Sequence, residues 1–279
     1  MAKEEFTFGR SKPTGDTAPG SPNQTANSGS NTSAQSDGGY ARQRPRRSST
    51  VMISCRATNP LSITDDVSKV FLDEDQAKAT TATRLFRNEE IFKAITTIII
   101  PAFIASKRTK LSMWSTGCSS GEEVYSMAMV ALNEFDKAKR STSMEAFGTD
   151  INRNRIIEAR HGLYGRPSKD AFSPAYWQLL QKYAMSDAHS VQMGDHLRNV
   201  CQFTLFDMRN RPKKHTFFFI VCNHVLQYYD NEGQRIILAN LKSVLNPGGF
   251  LYLEGTTEGG LKESNLKKLD SVPNLYSVE

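Results

Sequence analysis

Apolar and polar residues fall in blocks along the chain, and the spacing inside each block predicts what it forms. From Gly9 to about Thr50 the chain is mostly Ser, Gly, Pro, Thr, Asn, Gln and Ala, with almost no large aliphatic side chain. Such a segment cannot offset its conformational entropy by burial, which predicts a disordered tail over residues 1–60. Val67, Val70 and Phe71 stand at i, i+3 and i+4 and predict a short helix over residues 65–78, within a segment 61–80. From residue 81 onward helical periods alternate with short apolar runs. Helices are predicted over residues 89–103, 122–135, 152–161 and 234–244, and strands over 111–115, 146–150, 202–206, 216–222, 250–254 and near 275–278. The stretch from residue 162 to 199 has no clear period. Alternating strands and helices predict an α/β domain whose mostly parallel sheet is covered on both faces.

Composition narrows the class. The chain has 279 residues, 38% of them apolar, enough to bury a sizeable core. Its longest apolar run, Ile98 to Ile104, is interrupted by Pro101 and falls short of the roughly 20 residues a membrane helix needs. Glu4 and Glu5 and the missing apolar run behind them argue against a secretory signal. Cys55, Cys118, Cys201 and Cys222 lie far apart, so neither a zinc cage nor a disulfide framework is expected, and a reducing, cytoplasmic setting fits. The net charge of +6 is partly a property of the tail, where residues 1–50 carry seven Lys/Arg against four Asp/Glu. The rest is close to balanced, and nucleic acid is not favoured as a partner. The basic patch Arg42, Arg44, Arg46 and Arg47 beside Ser48 and Ser49 reads as a solvated linker or as a docking site open to phosphorylation.

Candidate chemistry gathers where predicted strands end. One strand runs into Gly117-Cys118-Ser119-Ser120-Gly121, and a helix opens at Glu122 with Val124, Met127, Ala128 and Ala131 as its buried stripe. This strand, glycine turn and helix let a ligand approach bare backbone. Two carboxylates at the helix start, Glu122 and Glu123, oppose a phosphate and suit a ligand bearing ammonium and sulfonium charge, although acids at a helix N-terminus are also simply favourable there. The next strand ends in Asp150, placed either to hold ribose hydroxyls or to cap the following helix. A wholly apolar strand, buried on both faces, ends in Asn223 and His224, the latter a ligand contact, a structural group or a general base. Pro247-Gly248-Gly249 is a turn between helix and strand.

Taken in order, the segments WSTGCSSGEEVYSMAM, GTDINRNRIIEARHGLY, CNHVLQYYDNEGQR and LNPGGFLYLEGTTE resemble the catalytic domain of the chemotaxis-receptor glutamate methyltransferases, the CheR family, from about Thr80 to the C-terminus. The resemblance implies a Rossmann-like class I fold dependent on S-adenosylmethionine (SAM). It adds an antiparallel C-terminal strand and a small inserted β-subdomain over residues 165–199 within a catalytic domain 81–279. Thr81 to Arg87 is similar to the family's N-x-T-x-F-F-R. Thr81, Thr83 and Arg87 are thereby implied as cofactor contacts, with Gly117 in the turn, Glu122 at the amino group, Asp150 at the ribose, and Asp207 and Met208 beside the adenine. Asn223 and His224 stand where the family has Arg-Asn, and Arg87 and Tyr228 are implied at the reacting centre. No metal is implied.

Several positions depart from that pattern. Thr81 and Asp207 each replace an Asn, Asn223-His224 replaces Arg-Asn, and only residues 65–78 could correspond to the family's N-terminal helical domain. The expected function is methylation of glutamates on an acidic helical segment of a receptor-like protein, by a monomer. The alternatives are another acceptor (protein, small molecule or RNA) and a scaffold or sensor that binds the cofactor without turnover. Methyl transfer to an ionised carboxylate needs positioning rather than a strong base, in keeping with motifs that offer no nucleophile and base pair.

Overall fold

The structure, a computed structural model, describes residues 83–212, 215–255, 261 and 266–278, all within the unit Arg56–Glu279. The tail, the basic patch, the helix expected over residues 65–78, and Thr81 lie outside the described residues.

The first helical stretch is α1 (Glu89–Ala94), a π segment (Ile95–Ile99) and α2 (Ile100–Ala105). Sequence periodicity predicts one continuous helix here, and Pro101 explains the difference. Its ring has no N–H and clashes with the carbonyl four residues back, so the chain widens by a residue and Ile100 N–H reaches Ile95 O. Next come β1 (Lys110–Thr116), α3 (Glu122–Lys137), β2 (Ser143–Asp150), α4 (Arg153–His161), β3 (Leu163–Gly165), α5 (Pro174–Tyr183), β4 (Ala184–Ser186), β5 (Ser190–Met193) and α6 (Asp195–Val200). The chain then forms β6 (Cys201–Leu205), β7 (Phe217–Asn223), α7 (Asn231–Ser243), β8 (Leu245–Glu254), β9 (Lys267–Lys268) and β10 (Leu275–Ser277).

Seven strands form one sheet in the order β6-β2-β1-β7-β8-β10-β9. The first five are parallel, and β10 runs antiparallel to both β8 and β9. This is a Rossmann-like arrangement, with the antiparallel strand near the C-terminus that the resemblance implied. Side chains alternate across it as a pleated strand requires. Met113, Phe218, Val221, Phe250 and Tyr252 join the core under α1 to α6, whereas Trp114, Phe217, Ile220, Leu251 and Leu253 join the core under α7. A strand apolar on both sides is therefore central, as the unbroken run of β7 predicted. Trp114 is fully buried and satisfies its indole N–H on Thr149 Oγ1 at 3.0 Å.

A second, three-stranded antiparallel sheet, β3-β5-β4, is inserted between α4 and β6, with α5 beside it. Its strands have three or four residues, too short to show a period in the sequence. Helix α5 is marked by Ser173, which accepts Tyr176 N–H at its N-cap, and by Pro174 in its first turn. The inserted sheet is tied to the glycine turn by Tyr164 O–H, which donates to Ser120 O at 2.7 Å.

Candidate active site

The C-terminal ends of β1, β2, β6 and β7 face one cleft edge, where open α/β sheets bind their ligands. The turn after β1 takes left-handed backbone at Gly117 (φ 64°), Ser119 (φ 49°) and Gly121 (φ 93°). A Cβ on Gly117 would sit 2.5 Å from Val225 Cγ2, so glycine lets the turn close against the loop after β7. Cys118 N–H donates to Thr149 O at 2.9 Å, locking the turn to β2. The Cys118 thiol is buried, and burial pushes it well above its ordinary range, which disfavours the thiolate.

Asp150 organises two loops at once. Its Oδ2 accepts Ser119 N–H at 2.9 Å and its Oδ1 accepts Asn152 N–H at 2.8 Å. The cap of α4 is Asn152, whose Oδ1 accepts from Asn154 and Arg155, so capping is not the role of Asp150. A carboxylate offers about four lone-pair positions, so the two bonds leave acceptor capacity for a ligand's hydroxyls. Burial pushes its carboxyl up, against the pull of the Asn152 and Ser119 N–H groups.

The two glutamates at the start of α3 face different surroundings. Glu122 is buried, accepts Ser120 O–H at 2.9 and 3.1 Å, and looks toward Arg155 and Glu158. Glu123 accepts Ser115 O–H at 2.8 Å and the Asn223 side-chain amide at 2.9 Å, with His224 and Arg87 nearby. Glu123, to which the resemblance assigns no contact of its own, thus lies with Arg87, Asn223 and His224 in one cluster. Two adjacent acids in a first turn look alike in sequence; which one meets β7 depends on the helix's rotation. Burial pushes both carboxyls up.

Arg87 is set by its neighbours in the chain. Phe86 takes left-handed backbone (φ 52°), donates its N–H to Ser126 Oγ at 3.0 Å, and stacks on Tyr176 at 4.8 Å between ring centres. This anchors the segment over α3; Arg87 is exposed and Thr83 half-buried. After β6, Asp207 is buried and is held by Arg209, whose Nη2 lies 2.6 Å from Asp207 Oδ2 and whose N–H meets Oδ1 at 2.9 Å. Met208 is buried in the core under α7.

After β7, His224 takes left-handed backbone (φ 56°), unusual for a residue with a side chain. Its N–H donates to Glu254 O at 3.0 Å and its Nε2 lies 3.6 Å from Glu254 Oε1. Glu254 Oε2 accepts from Asn88 at 2.8 Å and from Tyr252 O–H at 3.1 Å, so a polar row joins His224 to the start of α1. Tyr228 is exposed in a short 3-10 turn, Leu226–Tyr228, which buried Gln234 of α7 pins by donating to Leu226 O and Tyr229 O.

This donor set fits SAM: a carboxylate with spare acceptors for ribose hydroxyls, a second for an ammonium group, and no phosphate-binding helix start. Two buried polar atoms of these loops, Ser119 Oγ and Asn223 Oδ1, have no hydrogen-bond partner among the described residues.

Residues 81–272 match the family described as "CheR methyltransferase, SAM binding domain". Chemotaxis protein methyltransferase 1 of Pseudomonas aeruginosa is 29% identical over 219 residues, covering 72% of this chain and 71% of that protein. The chemotaxis protein methyltransferase of Listeria monocytogenes is 26% identical over 68% of this chain and 70% of that protein. A 104.1 kDa uncharacterised protein of Rhodobacter capsulatus is 23% identical over 62% of this chain, a match that spans 18% of that protein's length. Among solved structures, a TehB-like SAM-dependent methyltransferase from Corynebacterium glutamicum aligns with TM-score 0.38 and 12% identity, over 64% of this chain and 84% of that one. No described helix is long and apolar enough to cross a membrane. With more than half its length matched by the family's cofactor-binding domain, the chain belongs to the CheR methyltransferases and is an S-adenosylmethionine-dependent methyltransferase.

Proposed function

We propose that the chain methylates side-chain carboxylates on an acidic helical segment of a receptor-like protein. The observation that carries this reading is the cluster in which Glu123, bonded to Asn223, lies near Arg87 and His224, so a carboxylate for an ammonium group stands beside a guanidinium for a carboxylate. When bound, SAM supplies a methyl group on a positively charged sulfur. In this account Asp150 accepts from the ribose hydroxyls through its spare lone pairs. Glu123 takes the amino group, and Thr81, Thr83 and Arg87 take the carboxylate, for which a guanidinium fork is well shaped. Glu122 supports the turn through Ser120. Gly117 admits the ligand to the backbone, and Asp207 and Met208 form the wall behind the adenine. Tyr228, with Asn223 and His224, shapes the acceptor side and excludes water.

One observation favours a second reading. The His224 and Glu254 pair resembles a base with its orienting acid, which an amine or hydroxyl acceptor would need and a carboxylate would not. Incubating the chain with methyl-tritiated SAM and the cytoplasmic fragment of a chemoreceptor separates the two. A carboxyl methyl ester releases labelled methanol in mild base, the expected outcome. Label that withstands base would instead support a nitrogen acceptor and defeat the carboxylate reading.

A further inference from the structure

The opposite edge of the same sheet carries an open polar cavity. It has a volume of about 410 Å³ and is lined by Arg108, Thr109, Lys110, Ser112, His215, Thr216 and Asn246. These residues lie at or just before the starts of β1, β7 and β8, whereas Gly117, Asn223 and Glu254 lie at the ends of the same strands. The seven residues of β1 span about 20 Å between the two edges, so nothing bound in this cavity reaches the methyl-transfer cleft.

Its lining is all of one kind. Arg108 and Lys110 are cations, His215 is an imidazole, Thr109, Ser112 and Thr216 carry hydroxyls, and Asn246 carries an amide. Every one of these side chains can donate a hydrogen bond, none is a carboxylate, and none is apolar. Lys110 and Ser112 share one face of β1 because they are two residues apart. The Arg108 guanidinium is held at the rim by donating from Nη2 to Pro247 O at 3.3 Å, which uses one of its five N–H groups. Glu145 on β2 adjoins this lining and is paired with Lys110 Nζ at 2.7 Å. His215 packs on Phe147 and Phe217, with ring centres 4.7 and 4.6 Å away, and its Nε2 is buried without a hydrogen-bond partner among the described residues. An imidazole nitrogen left unpaired against an aromatic core is costly unless something else completes it.

We propose that this cavity is a binding site for a phosphoryl group, separate from the methyl-transfer cleft. A tetrahedral dianion can accept from Arg108, Lys110 and the surrounding hydroxyls at once, and the pairing is charge-assisted. An uncharged ligand would forgo these charge-assisted bonds, and a cation would meet the charges of Arg108 and Lys110.

Titrating the full chain with inorganic phosphate and, separately, with phosphoserine tests the site, followed by the amide NMR signals of Lys110, Ser112 and Thr216. Phosphate and phosphoserine distinguish a free anion from a phosphorylated side chain as the source. Saturable binding of either, with shifts confined to this edge, is expected. Arg108→Gln should weaken binding about tenfold, as should Lys110→Gln, while Arg108→Lys keeps most of it. Asp150→Asn should leave phosphate binding unchanged, which separates this site from the cofactor cleft. Two results overturn the proposal. One is no saturation by either probe while the chain binds SAM normally; the other is binding that both Gln variants leave intact. The basic residues would then serve only to neutralise the helix C-termini at this edge.

Discussion

Replacing Asp150 tests structure and function together, because one carboxylate pins two loops and has capacity left for a ligand. Asp150→Ala strands the Ser119 and Asn152 N–H groups, which now donate at 2.9 and 2.8 Å. A fully buried donor left unpaired costs about 1–3 kcal/mol, and both of these bonds are only part-buried, so the loss should lie toward the lower end for two, about 2–4 kcal/mol. For a domain of this size that corresponds to a fall in Tm of roughly 5–15 °C. Losing two charge-assisted bonds to ribose should remove at least about 3 kcal/mol of binding, or more than about a hundredfold in Kd. Asp150→Asn separates the effects. Its carbonyl oxygen still accepts one N–H, but its amide offers donors where acceptors are needed. About half the stability loss should remain, with affinity falling by about ten- to a hundredfold. Isothermal titration with SAM and thermal melts under one buffer read both quantities. Affinity within about threefold of wild type in Asp150→Ala would refute the ribose assignment, because the carboxylate would then be only a loop clamp.

Three further outcomes follow from the geometry. Burial holds Glu123 and Asp150 above the ordinary carboxylate range, and the cofactor needs both ionised, so affinity should fall on acidification at a higher pH than ordinary carboxylates titrate. The sign for stability is opposite. With raised folded-state pKa values the cofactor-free chain binds more protons than the unfolded chain, so it should gain stability as pH falls through that window. Below the ordinary range the trend reverses, because Lys182 holds Asp136 below its usual value and that contribution is lost as Asp136 protonates. Melts and titrations from about pH 7 to 4 check both signs, and affinity that is flat until about pH 4 would contradict the burial argument. Gly117→Ala combines left-handed backbone with a 2.5 Å approach to Val225 and should cost about 1–3 kcal/mol in a urea melt. Adding Val225→Ala should restore only the steric part, and full restoration would show that the backbone is not strained. Ile237→Ala, at a fully buried position of α7, should cost about 2–5 kcal/mol by denaturant melt, whereas a cost below about 1 kcal/mol would mean that the core under α7 adapts.

The sequence reading succeeded where burial imposes a pattern on consecutive residues. The run Phe217 to Cys222 could only be a strand covered on both faces, and the glycine turn followed by α3 announced the cleft. It missed features set by packing between distant segments. The π segment before Pro101 looks like ordinary helix because its apolar spacing is nearly helical. Helix α5 was hidden inside an irregular-looking stretch although Ser173-Pro174 is a start signal. The ion pair between Asp207 and Arg209 spans only two residues, but it depends on side-chain rotamers that no spacing encodes. The difference between Glu122 and Glu123 was beyond reach, since it rests on a contact with Asn223 a hundred residues away.

That difference supplies the most direct test of where the cofactor's amino group lies. Titration of SAM into Glu123→Gln and Glu122→Gln, beside wild type at neutral pH, compares two neutralisations one residue apart. The account predicts at least about a tenfold loss for Glu123→Gln and a change within about threefold for Glu122→Gln, whose neutral side chain can still accept from Ser120. Equal affinities, or the larger loss at Glu122, would contradict it.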